Sequence, residues 1–78
     1  MIIMFLIEKL NRIIRYKYST YHDDKNYGII SINIDSKEIE FEKRYDEICE
    51  NLDFHAYIKA EEMLNNNKFE NQITVAWY

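Results

Sequence analysis

The chain has no proline, one glycine and one cysteine in 78 residues. A lone cysteine, Cys49, forms no internal disulfide, which excludes a stapled secreted scaffold and favours a reducing cytosol. A single glycine cannot supply the glycine-rich loop that cradles a phosphate. Long apolar runs are also missing. MIIMFLI ends after seven residues at Glu8-Lys9, no basic residue precedes it, and a bilayer span needs roughly 20 apolar residues, so the run belongs to the fold and argues against a membrane segment. No repeat, low-complexity tract or linker divides the chain, and its length allows one small domain over residues 1–78 with little core to spare. Thirteen Ile, eight Asn and seven Lys against three Ala are the composition of AT-rich coding sequence, as in low-GC bacteria and their phages.

What is abundant is acid, and it is unevenly placed. Residues 1–22 carry a balance of +3 from Lys9, Arg12, Arg15 and Lys17 against Glu8, while residues 23–78 carry −7, for −4 overall. Such asymmetry bears on partners rather than on fold.

Ile30, Ile32 and Ile34 alternate with Ser31, Asn33 and Asp35, and Ile39 and Phe41 alternate with Glu38, Glu40 and Glu42. Two strands are expected, joined at Ser36-Lys37 or by a four-residue loop in the same register. Ile34 then faces Ile39 and Ile32 faces Phe41, and a one-residue slip would bury the glutamates. Upstream, Tyr16, Tyr18 and Thr20 alternate with Arg15, Lys17 and Ser19, which predicts a strand over 15–22 and a turn at HDDKNYG. Ile3, Leu6, Ile7, Leu10, Ile13 and Ile14 recur at helical spacing, which predicts a short amphipathic helix, although MIIMFLI by itself also reads as a strand. A second helix ends near Asn66. It begins near Asp46, or after a break at 51–53 with Asp53 as its cap, and its two apolar stripes suggest contacts on two sides. QITVAWY, with Ile73, Val75 and Trp77 alternating, is a last strand. The expectation is an α+β fold of order α-β-β-β-α-β, an antiparallel sheet packed on helix.

Chemistry-bearing residues are sparse. His22, Asp24 and His55 are of metal-ligating or acid–base type but lack the close repeated spacing of a metal motif, and no cofactor or metal is expected. Acidic neighbours Glu47 and Glu50 raise rather than lower a thiol pKa at Cys49, so a packed cysteine is the plainer reading than a nucleophile. The basic, tyrosine-bearing stretch 15–22 has the residue types of a stacking platform for single-stranded nucleic acid, but the overall charge opposes phosphate binding. A basic amphipathic first helix is also compatible with a membrane surface, though a core or subunit contact is the commoner use.

Two surfaces remain. Asp35, Glu38, Glu40, Glu42, Asp46, Glu47 and Glu50 together predict an acidic face, whose plain role is solvation and protection of a strand edge and whose sharper role is docking a basic protein surface. Ile3, Leu6 and Leu10 exceed what one small chain readily covers and predict self-association as a homo-oligomer. The functional expectation is a small non-enzymatic interaction module, an inhibitor or accessory factor by analogy of size and charge.

Overall fold

In the computed structural model, which describes residues 1–20, 23–45 and 50–76, the chain opens with a β-hairpin where a helix is expected. Strand β1 (Ile2–Leu10) turns into β2 (Ile13–Thr20) through Asn11 and Arg12, with Leu10 paired to Ile13. Both turn residues have positive φ, 54° and 67°, as a two-residue type I′ turn requires. The helical spacing of Ile3, Leu6, Ile7 and Leu10 arises because both faces of β1 are apolar and because the register shifts between Leu6 and Glu8, which leaves Ile7 as an extra residue. The membrane-surface reading of an amphipathic first helix falls with the helix.

Strand β3 (Asp23–Asn33) includes most of the segment expected to be a turn. Its Gly28 serves space rather than backbone freedom: a Cβ there would lie 2.2 Å from Cζ of Tyr18, and Gly28 has no positive φ. Strand β4 (Ile39–Lys43) pairs with β3 two residues out of the expected register, Ile32 with Ile39 and Ile30 with Phe41. A shift of two preserves the faces, so Ile32 is buried, Phe41 packs at the core margin and Glu40 is exposed. The register follows from Asn33, whose side chain accepts from the backbone N–H of Asp35 (2.9 Å) and Ser36 (3.0 Å) while its own N–H donates to the Glu38 carbonyl (2.9 Å). Ile34 is drawn away from the hairpin by donating to the Arg12 carbonyl at 3.0 Å.

Helix α1 (Glu50–Asn66) ends as a Schellman motif, with Lys68 N–H donating to Met63 O (3.1 Å), Asn67 N–H to Leu64 O (3.3 Å), and Asn67 at φ 52°. Asp53 lies inside the helix rather than capping it. Strand β5 (Gln72–Val75) then crosses to the far edge and pairs with β1, giving one antiparallel five-stranded sheet of order β4-β3-β2-β1-β5. The α+β class stands, with four strands before the helix. Trp77 lies outside the described residues.

The helix covers one sheet face. Ile2, Met4, Ile14, Tyr16, Tyr18, Ile30, Ile32 and Ile73 meet Ala56, Ala60 and Met63, and each fully buried isoleucine stabilises the fold by about 1.5–3 kcal/mol. The small Ala56 and Ala60 let the helix approach the two buried tyrosine rings. Its second apolar stripe divides: Tyr57 and Leu64 pack against the same core, Tyr57 with its ring centroid 6.1 Å from that of Phe41, while Phe54 and Ile58 are 59% and 45% exposed.

Candidate interaction surface

The acidic residues are positioned by the β3–β4 connection and by β4 at the sheet edge. Asp35 in the loop is ion-paired with Arg12 of the first turn at 2.5 Å. Glu38 and Glu40 are exposed and form no ion pair among the described residues. Glu42 is the extra residue where Ile29 pairs with Lys43 but Ile30 with Phe41, and this bulge frees its carboxylate to take both Nε and Nη2 of Arg15 at 2.8 Å. Arg15 also holds Glu8 at 3.2 Å. The Glu42 hydrogen bonds, opposed in part by desolvation and supported by the charges of Glu42 and Glu8, hold the guanidinium proton more tightly than usual. Glu50 is the first residue of α1, and Asp46 and Glu47 lie outside the described residues. The expected acidic face is thus partly neutralised from within: two of its four described loop and β4 carboxylates are matched to arginines.

No described helix covers the other sheet face. Phe5, Lys17, Ile29 and Lys43 form one cross-strand row there, with Ile3 beside Phe5 on β1. Tyr27 lies under two ammonium groups, Lys43 Nζ at 3.6 Å and Lys17 Nζ at 4.6 Å from its ring centroid. Alternation along β2 places Lys17 on this face correctly, whereas Tyr27 is hidden from sequence reading by its turn-forming neighbours.

Tyr16 and Tyr18 face the core, which removes them from any base-stacking platform on strand 15–22; His22 lies outside the described residues. Tyr16 Oη donates to the Glu70 carbonyl at 2.7 Å, and burial first, then the charge of Glu70, pushes its hydroxyl up to about 12. Tyr18 Oη donates to Asp53 Oδ1, which also accepts from Tyr45 N–H at 3.0 Å. Burial, then the Asp53 hydrogen bond and charge, raise the Tyr18 pKa. Asp53 Oδ2 is buried without a hydrogen-bond partner among the described residues, 4.0 Å from Arg44 Nη1.

Ile3, Leu6 and Leu10 do not share a face. Ile3 lies on the open side, Leu6 packs against the core, and Leu10 is 58% exposed at the turn. Asp24 is in β3, and His55 sits on α1 with its ring edge-on to Phe54, 5.8 Å between centroids. Cys49 lies outside the described residues. No group of three or more His, Cys, Asp or Glu side chains able to hold a metal occurs among the described residues. A cleft of about 230 Å³ lies between Met63 of α1 and Ile73 of β5, rimmed by the ion pairs Lys59–Glu62 (3.1 Å) and Lys68–Glu70 (3.6 Å). No described helix is long and apolar enough to cross a membrane.

Set against protein-family models, curated proteins and solved structures, the chain matches none of them.

Proposed function

We propose that this protein is a small interaction module without a reaction of its own, working in a reducing cytosol as an inhibitor or accessory factor that docks a basic protein surface along β4. The observation that carries this reading is the pair Glu38 and Glu40, exposed two residues apart at the sheet edge while Asp35 and Glu42 are matched to arginines. Held by the Asn33-organised loop and the β3 ladder, the pair presents a fixed negative charge without first breaking an internal ion pair. Such a charge steers encounter and sets orientation more than it adds affinity. The alternative, single-stranded nucleic acid, is disfavoured by the −4 charge and by the core-facing tyrosines.

The test is capture from a cell lysate with wild-type and Glu38→Gln/Glu40→Gln baits, followed by association rates against ionic strength for the captured protein. The double variant is expected to associate more slowly and with a flatter salt dependence while its Tm stays at the wild-type value. Equal rates and equal salt slopes refute the docking role and leave the two glutamates as a solvated guard on the edge strand.

A further inference from the structure

The two edges of the sheet are guarded very differently. At β4 the edge is charged by Glu38, Glu40 and Lys43 and distorted by the bulge at Glu42, devices that keep one sheet from adding to another. At β5 neither device is present: residues 71–78, NQITVAWY, contain no charged side chain, and the Ile2–Phe5 to Gln72–Val75 ladder is regular.

Which backbone groups this edge offers follows from one bond. Leu6 N–H donates to the Asn71 carbonyl at 2.8 Å, so Leu6 and Asn71 form a hydrogen-bonded pair. Hydrogen-bonded and non-hydrogen-bonded pairs alternate along an antiparallel ladder. The inward-bonding residues of β5 are therefore Asn71, Ile73 and Val75, while Gln72 and Thr74 turn their N–H and C=O groups to the free side.

We propose that the β5 edge pairs with β5 of a second copy of this chain, antiparallel about a two-fold axis, to make one continuous ten-stranded sheet. Gln72 and Thr74 of one copy exchange backbone hydrogen bonds with Thr74 and Gln72 of the other. The axis then passes at Ile73, and the two Ile73 side chains meet on the helix side, where each already belongs to its own core. A two-fold axis normal to the sheet keeps both helices on that side, so each copy helps to roof the cleft between Met63 and Ile73 of the other.

Charge leaves β5 as the edge at which a second copy can dock. A chain of net −4 repels its own kind, and the acids at β4 make that edge worse still. The β5 strand is uncharged, and the cleft beside it is rimmed by two lysines and two glutamates, whose charges cancel. Two copies can thus approach at this edge without accumulating like charge, and a Lys of one rim faces a rim carrying Glu. The contact is also small. A four-residue edge with a shallow cleft buries less than the roughly 800 Å² per partner of a standard interface, so a dissociation constant on the order of 100 μM is expected.

Sedimentation of the full chain over a concentration series spanning that value is the test. The wild type should pass from monomer to dimer, and added salt should not weaken the association. Thr74→Pro removes an outward N–H while sparing the inward ladder, and Thr74→Lys retains the N–H but adds the missing charge guard. Each should raise the dissociation constant at least tenfold with an unchanged circular dichroism spectrum, and the lysine variant decides if the proline variant does not fold. Phe5→Ser, on the open face, should leave the dimer intact. A wild type that stays monomeric throughout overturns the proposal, as does a dimer that survives both Thr74 changes or is lost with Phe5→Ser.

Discussion

Arg15 of β2 grips Glu42 of β4 across the whole width of β3, both carboxylate oxygens lying 2.8 Å from guanidinium nitrogens. The reach is open because the β3 residue paired with Arg15 is Ser31, too short to obstruct it, and because the bulge at Glu42 turns that carboxylate inward along the sheet. One arginine thereby ties together β1, β2 and β4 through Glu8, itself and Glu42.

A double-mutant cycle with Arg15→Gln and Glu42→Gln, read by urea denaturation, should give a favourable coupling. Because the pair is on the solvent side of the sheet, that coupling should shrink steeply toward about 1 M salt, where the screening length falls to about 3 Å. A coupling unchanged by salt would mean that the fork acts through packing rather than charge.

Gly28→Ala should destabilise by about 1–3 kcal/mol or more, since the added methyl meets a tyrosine ring that is fully buried and anchored at its hydroxyl. The same substitution in a Tyr18→Leu background should cost measurably less. Chemical denaturation of the four proteins checks both statements, and additive losses would show that the ring is not what excludes a side chain.

Tyr18→Phe should cost about 1–3 kcal/mol, because it leaves a buried carboxylate with one fewer donor while its second oxygen has no hydrogen bond to offer in exchange. The denaturation midpoint should fall with the m-value unchanged. A variant as stable as the wild type would mean that Arg44, 4.0 Å from Oδ2, and the Tyr45 N–H suffice for the carboxylate.

Alkaline pH should unfold the protein in a defined window. The Tyr16 hydroxyl is raised from 10 to about 12 in the folded chain and Tyr18 is shifted in the same direction, so both bind their protons more tightly folded than unfolded. Their contribution is complete below about pH 10, the value of an unperturbed tyrosine, and is lost as pH rises toward the folded values. Absorbance at the phenolate band should show Tyr16 and Tyr18 ionising together with the unfolding transition. Tyr16→Phe should remove part of the pH dependence.

Much of this architecture was legible in residue alternation, and the failures have local causes. The faces of β2, β3 and β4 follow from Tyr16/Tyr18, Ile30/Ile32 and Ile39/Phe41 because one face is apolar and the other polar. In β1 Ile2, Met4 and Leu6 are matched on the opposite face by Ile3, Phe5 and Ile7, so period two disappears and the extra residue at Ile7 imitates a helix. Arg12 at positive φ conceals the first turn, since Gly or Asn is the usual occupant. The β3–β4 register depended on the Asn33 side chain, a competition between loop bonds and ladder that hydrophobic patterning does not record. The candidate surface was legible as composition only: the arginines that neutralise Asp35 and Glu42 come from β2 and from the first turn.

The order of strands in the sheet also sets an order of events during synthesis. Strands β1 to β4 form a meander of sequence neighbours, each able to pair as soon as the next emerges. The outer side of β1 waits for residues 72–75, which follow the helix. Until then a nascent chain holds β1 with one open edge, beside Phe5, Ile7 and Leu10, which are substantially exposed even in the finished fold. Ribosome-bound chains stopped before β5 are therefore the species in which chaperone binding or aggregation should concentrate, and pairing with β5 closes that backbone edge.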